Sequence, residues 1–389
     1  MATFSPVPDD IIELRRDLHL NPELSCKEER TSNIVAKELA RLGYRVIIDR
    51  EKGYSVLGIM EFSRPGKTLA MRADMDALPI VENQCNLKRK KKWVSKNKGA
   101  AHMCGHDFHT AGLLATARYV AEHKDSFSGR VIFCFESGEE IGEGDDAREL
   151  LAAQGKIDAA FAIHVQANSP VGTVAIMDGP CTAGCATFNI KITGKSVHGA
   201  TPHLGIDPIN CAAQIVVAAN SIISRRIDSR ESAVLSVCSI HSGTSWNRFP
   251  DDAEIVGGLR FFNDDVGIKM REYLEQMVKG TAEANGCTCE VSWGNWSPPT
   301  INDKELAAIA RKASDASGAK TEIGTPWMVS ETFARYRRIC PVVLVLVGCA
   351  NAETGCGAQH HSDMFEADEN CLAISASIEA NFVTDFLGK

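Results

Sequence analysis

The sequence predicts an α/β protein: a larger domain with a mixed sheet flanked by helices, interrupted by an inserted two-layer α+β domain. Three observations predict it. Apolar strand-length runs alternate with helix-period segments from residue 9 to about 184. Between about 185 and 296 the order becomes four strands with two long helices, which describes a small sheet covered by a helical layer. From about 297 the alternation returns. The expected division is therefore 1–184 with 297–389 for the larger domain, and 185–296 for the insertion.

Ile11, Ile12 and Leu14 carry a helix over Asp9–His19, and Ile34, Val35, Leu39 and Leu42 carry another over Lys27–Leu42, ended by Gly43. Strands follow at Arg45–Asp49, Ser55–Met60 and Thr68–Arg72, the last emptying into Ala73-Asp74-Met75-Asp76. A helix over 110–123, a buried strand at Arg130–Phe135, a helix from about Asp145 and a strand at Ala159–Ile163 complete the first segment. The insertion holds strands at Ala186–Thr193, Ala233–His241, Ala253–Phe262 and Cys287–Trp293, with helices from Pro208 to about Arg225 and over Asp264–Asn285. The last part reads as a helix at Asp303–Ser317, a strand at Val342–Val347 and a helix from Asp368 to Leu387.

With 389 residues, 44% apolar and 24% charged, the chain can bury the cores of two ordinary globular domains. A net charge of −8 argues against nucleic acid as a partner, since phosphate binding needs a basic surface. The first ten residues lack the basic and apolar regions of a signal peptide, and no apolar run approaches the ~18 residues of a membrane span. The fourteen cysteines are scattered through strands and helices rather than set in a disulfide framework, so reduced thiols in the cytoplasm are expected. The run from Lys88 to Lys98 is expected to be a solvated loop; a local anion-attracting rim is the alternative, and a nuclear-localisation signal the weaker one.

Chemistry concentrates in Ala101-His-Met-Cys104-Gly-His106-Asp-Phe-His109-Thr110, with three histidines, a cysteine and a carboxylate. Thiolate, imidazole and carboxylate together suit a first-row transition ion such as zinc, manganese, cobalt or nickel. Cys104 and His106 flank Gly105, so they reach one ion only from a sharply turned loop. Other strands deliver further candidates at their ends: Asp74 and Asp76 after one, Glu139 and Glu140 after another, His164 after a third. Of the two adjacent glutamates, one can bind metal while the other accepts a proton from an activated water. His361, late in the chain, precedes a helix and returns to the same site if the second domain is an insertion.

The chain resembles the metal-dependent aminoacylase and carboxypeptidase G-type peptidase family, in its branch of auxin-conjugate, hippurate and N-acyl-amino-acid amidohydrolases. The resemblance rests on His19-x-x-Pro-Glu-Leu-Ser25, Met71-Arg-Ala-Asp-Met-Asp-Ala-Leu-Pro79 and Cys104-Gly-His-Asp-Phe-His-Thr110. It continues through Glu139-Glu140, Ile163-His164-Val165, His198-Gly-Ala-Thr-Pro-His203, Asn247, Arg260 and His361. It implies two divalent ions per subunit in the catalytic domain, held by Cys104, His106, Glu140, His164 and His361. Glu139 is implied as general base, and Asp76 as a carboxylate orienting the ligands. The inserted domain is implied to be a lid that forms a homodimer. Its His198 would stabilise the oxyanion in the partner subunit's site, and Asn247 and Arg260 would hold a substrate carboxylate.

The implied function is hydrolysis of the C–N amide bond of a small N-acyl amino acid or dipeptide-like, carboxylate-bearing substrate. The alternative is an aminohydrolase that removes an amino group from an aromatic acid with the same site. Departures from the family pattern give this alternative its place. Ser330-Glu331-Thr332-Phe333 lacks the usual third-position carboxylate, Glu139-Glu140-Ile-Gly-Glu-Gly replaces a Gly-rich turn, and Ser362-Asp363 lacks the usual proline.

Overall fold

A computed structural model describes residues 7–48, 50, 53–142 and 147–388. In chain order the first part holds α1 (Asp9–Leu20), α2 (Glu29–Arg41), β1 (Arg45–Ile48), β2 (Val56–Glu61), β3 (Thr68–Asp74) and α3 (His106–Glu122). It goes on with β4 (Arg130–Glu136), α4 (Ala147–Ala152), β5 (Ala159–Pro170), β6 (Thr173–Ala175) and β7 (Gly179–Thr182). Next come β8 (Gly184–Thr193), α5 (Pro208–Arg226), β9 (Ala233–Ser242), β10 (Asp252–Phe261), α6 (Asp264–Ala284) and β11 (Thr288–Ser297). The chain closes with β12 (Thr300–Asn302), α7 (Lys304–Ala316), β13 (Lys320–Glu322), β14 (Val342–Ala350) and α8 (Asn370–Leu387). The expected strand end at Asp49 and helix start near Asp145 lie outside the described residues.

Two compact units emerge, Met1–Cys181 with Ile301–Thr325 and Arg335–Lys389, and Thr182–Thr300 with Pro326–Ala334. In the first, eight strands form one sheet in the order β1-β2-β4-β3-β5-β14-β6-β13. It is mixed, as the sequence led us to expect: β3 pairs parallel with β4 and β5, and β5 with β14, while β2 pairs antiparallel with β1 and β4. Its central strands are continuous apolar runs because both faces are covered. Leu69, Met71, Val131, Phe133, Phe161, Val343 and Val345 share one core with Leu113 and Val120 of α3 and Leu372 and Phe382 of α8.

In the second unit β11-β8-β10-β9 form an antiparallel sheet. Its strands alternate between buried and open positions, so one face packs on helices and the other stays open. Phe188, Ile190, Ile255, Leu259 and Phe261 pack with Ile215 of α5 and Met270, Leu274 and Val278 of α6. Asp207 caps α5 by accepting from the backbone N–H of Ile209 and Asn210, and Pro208 takes the first helical position, where its missing N–H costs nothing.

All fourteen cysteines are free thiols. Among the described residues no helix is long and apolar enough to cross a membrane. The Lys88–Lys98 run is largely the solvated loop expected of it, with one exception. Lys88, Arg89, Lys90, Lys92, Lys96 and Lys98 are exposed, but Lys91 is buried, because its ammonium finds acceptors inside.

Candidate metal centre

Three adjacent parallel strands deliver much of the centre. Asp74 at the end of β3 stands opposite Glu136 at the end of β4. On the other side Arg72 stands opposite Ala162 of β5, which brings His164 to the level of Asp74. β3 stops there, but β5 runs on to Pro170 because β14 keeps pairing with it, Leu346 opposite His164. His164 is therefore mid-strand, not at the strand end its position suggested.

The metal loop also differs from expectation. α3 begins at His106 rather than near residue 110, because its first-turn residues are polar and yet buried, which hides the turn from apolar periodicity. Gly105 precedes it with a left-handed φ of 90°, and a Cβ there would stand 2.3 Å from Val165 Cγ2. Only glycine fits such a turn. It sets Cys104 and His106 side by side.

Cys104, His106 and Glu140 bring one donor atom each within 4.8 Å of one another. His164 Nε2 lies 3.6 Å from Cys104 Sγ, and His361 Nε2 lies 3.3 Å from Glu140 Oε2. The structure thus gathers all five candidate ligands. Glu139 is next to Glu140 in a turn opened by the left-handed Gly138, close enough for its charge to act on the Cys104 thiol.

Hydrogen bonds decide which nitrogen each imidazole offers. His106 donates through Nδ1 to Asp76 Oδ1 at 3.1 Å, leaving Nε2 for the centre. Asp76 Oδ2 accepts from Glu140 N at 2.9 Å and Ser25 Oγ at 2.7 Å, so one carboxylate orients two candidate ligands. His164 donates through Nδ1 to Val165 O at 2.6 Å, which turns its Nε2 towards Cys104. A carboxylate or carbonyl behind each imidazole is the pattern that fixes tautomers at metal sites.

Sequence reasoning assigned no role to His109, Arg72 or Glu136. Asp74, His106, His109 and His164 form a second compact group. However, His109 Nδ1 is bound to Asp74 Oδ1 at 2.6 Å and its Nε2 accepts from Val165 N at 2.9 Å. With both nitrogens engaged, His109 positions its neighbours. Arg72, 1% exposed, pairs with Asp74 Oδ2 at 2.8 Å and Glu136 Oε2 at 2.6 Å. Burial opposes the charge on Asp74, but His106, His109 and Arg72 together hold its carboxyl well below the usual range. The i, i+3 spacing of His106 and His109 on one helix was the signal that could have found the pair.

The donor set fits a divalent cation. His106 Nε2 and Glu140 Oε1 are buried 3.7 Å apart, and neither has a hydrogen-bond partner among the described residues. Burial pushes the Glu140 carboxyl up to about 7, with His106 opposing and Asp76 and Asp74 adding to the shift. Burial and then Glu140 push the Cys104 thiol well above its ordinary value. Burial and the nearby His109 and His360 keep His164 neutral, as a ligand must be. A cation among these atoms would ionise thiol and carboxyl and give His106 Nε2 and Glu140 Oε1 the partner they lack.

In the second unit His198 is exposed, and its backbone bridges to Arg248. Gly199 N donates to Asn247 O at 2.7 Å, which puts the His198 and Asn247 loops together. Arg260, on β10, keeps Nη1 buried without a hydrogen-bond partner among the described residues. Thr332, which takes the place of a family carboxylate, is buried beside Glu331.

Residues 70–385 match the sequence profile of peptidase family M20/M25/M40. The chain belongs to this family. It is 37% identical to thermostable carboxypeptidase 1 of Saccharolobus solfataricus, over 98% of this chain and 97% of that one. To the N-acetylcysteine deacetylase of Bacillus subtilis it is 34% identical, with 94% of each chain covered. The crystal structure of Bacillus subtilis YxeP, described as a dinuclear metal-binding peptidase, superposes with a TM-score of 0.84 at 29% identity, covering 97% of this chain and 98% of that one. As an M20 member the protein is a hydrolase acting on C–N bonds, and the resemblance drawn from its motifs agrees.

Proposed function

We propose that this M20 protein is a two-metal amidohydrolase. Its substrate would be a small N-acyl amino acid or a dipeptide-like compound bearing a carboxylate. One observation carries the reading: Cys104, His106 and Glu140 converge within 4.8 Å, and two of their buried donor atoms have no hydrogen-bond partner among the described residues. Cys104, His106, Glu140, His164 and His361 would hold the ions. Zinc, manganese, cobalt and nickel all suit this mixed donor set, so availability selects among them. When bound, the ions supply Lewis acidity at the scissile carbonyl and lower the pKa of a water.

The chain's own groups do the rest. Glu139 takes the water proton and passes it to the leaving amine. Asp76 keeps His106 and the Glu140 backbone in register. Asn247 and Arg260 hold the substrate carboxylate, for which a guanidinium is well shaped. The second unit serves as lid and homodimer contact, and its exposed His198 stabilises the oxyanion in the partner subunit's site. Two relatives support an acyl substrate by their names, an N-acetylcysteine deacetylase and an IAA-amino acid hydrolase that is 33% identical. Fourteen free thiols support a cytoplasmic location.

The test is a substrate screen. N-acyl amino acids are compared with amino-substituted benzoates on metal-loaded protein, following release of amine or ammonia. Turnover of the acyl compounds supports the reading. Ammonia release from the aromatic amines alone would transfer the site to aryl deamination.

A further inference from the structure

The basic run plays no part in the chemistry above, yet it contributes one buried cation. Lys91 is 4% exposed. Its ammonium reaches Phe365 O at 2.7 Å, Asp363 O at 3.2 Å and Glu82 Oε1 at 3.0 Å. An ammonium has three N–H bonds, and three acceptors saturate it. Burying a charge is costly, and an apolar side chain of similar length would fill the same space without that cost. The charge is therefore to be explained by what its donors hold.

They hold the stretch that carries His361. Neighbouring residues grip the same stretch: Asn83 N donates to Asp363 O at 2.9 Å, Asn86 Nδ2 to Thr354 O at 2.9 Å, and Arg89 Nε to Thr354 O at 2.8 Å. His361 has a left-handed φ of 65°, a conformation that a non-glycine residue keeps only when its surroundings enforce it. On one side its N–H is fixed to Met103 O at 2.9 Å, one residue before Cys104. On the other, Lys91 fixes the carbonyls two and four residues further along. Behind Lys91, Glu82 Oε1 meets His19 Nε2 at 3.2 Å, and His19 Nδ1 meets Asp107 Oδ2 at 2.9 Å. Asp107 adjoins His106, so a buried chain of polar contacts joins the His361 loop to the first turn of α3.

We propose that Lys91 is a positioning residue: by donating to the carbonyls of Asp363 and Phe365 it seats the loop from which His361 reaches Glu140. The inference rests on the reading of His361 as a member of the metal-holding set. It gives the basic run a role that its sequence does not suggest.

The test compares wild type, Lys91→Met, Glu82→Gln/Lys91→Met, His361→Ala and the triple variant. The double variant removes both partners of the buried pair, and so keeps a folded protein in hand if Lys91→Met alone does not fold. Dissociation constants for zinc are measured by chelator competition, visible spectra are taken with cobalt, and melting is followed as a control. The double variant is expected to bind its weaker ion about 10- to 100-fold less tightly, as when partners that orient a ligand are removed, with an altered cobalt spectrum. His361→Ala should lose at least as much, and adding the double substitution to it should change little. Wild-type affinity in the double variant, or a loss that adds in full to that of His361→Ala, overturns the role of Lys91. Wild-type affinity in His361→Ala instead overturns the ligand reading on which the inference stands.

Discussion

The two units bury different chemistry. The interior of the insertion is a conventional apolar layer, Phe188, Ile190, Ile255, Leu259 and Phe261 against Ile215, Met270 and Leu274. Among its described residues, Glu331 is the one carboxylate counted as buried. The larger unit encloses Arg72, Asp74, Asp76, His106, His109, Glu136 and His164 in a connected polar cluster. Buried charges weaken a fold unless they are paired, so such an interior marks where stability yields to chemistry. The insertion can be understood as a fold. The polar cluster inside the larger unit is explained by a site.

Substitutions that separate chemistry from folding probe this difference most strongly. Glu139→Gln should retain metal and melting behaviour while kcat falls ~10²–10⁴-fold, the usual share of a general base. Steady-state kinetics alongside metal analysis check this, and near-wild-type turnover of the metal-loaded variant would remove Glu139 from the role. His198→Ala should fold, dimerise and bind metal, yet be severely slowed. Mixing it with Glu139→Gln chains under subunit exchange should restore activity. Mixtures that exchange and stay inactive would place the whole active site within one chain.

Stability should follow the same division. Arg72→Met leaves Asp74 and Glu136 buried without their cation and should cost ~3–5 kcal/mol in urea unfolding. A cost under ~1 kcal/mol would mean that the charged interior carries no such penalty. Glu379, in α8, is a quieter case. Burial pushes its carboxyl up to about 8, and the Thr116 hydroxyl at 2.7 Å offsets only part of this. It stays neutral in the folded protein below about pH 8 and ionises at its ordinary pKa when unfolded. Its folded pKa is the raised one, so its contribution is fully present below the ordinary carboxyl range and is lost as pH rises through about 8. Glu379→Gln should therefore gain little near pH 4 and roughly 3–6 kcal/mol at pH 9, read from unfolding curves at the two pH values. In the insertion, Ile255→Val should cost only ~0.5–1.5 kcal/mol at either pH.

The same contrast governs what the sequence reveals. Strands of the insertion alternate with period two, so β9, expected to end at His241, ends at Ser242; α6, whose apolar residues keep the helical period, stops at Ala284, one residue before the expected Asn285. In the larger unit the pattern fails where burial is polar. The first turn of α3 is hidden from apolar periodicity because His106, Asp107 and His109 are inside without being apolar. His164 lies mid-strand because β14, almost two hundred residues later, goes on pairing with β5. Lys91 could not be told from its exposed neighbours, since its acceptors are carbonyls of residues 363 and 365. The donor types were legible in motifs. The back-side partners that choose between His106 and His109 needed three dimensions.

If the charged interior of the larger unit is a metal-dependent hydrolytic site, its activity must follow its metal content. Chelation followed by add-back of metal measures this. Protein stripped by a strong chelator should stay folded and lose hydrolysis of N-acyl amino acids, and activity should return as divalent metal is titrated in, saturating with a pair of ions per chain. Cys104→Ala and Glu140→Ala should each lower that stoichiometry. Full activity in the stripped, metal-free protein would show that the site does not depend on metal.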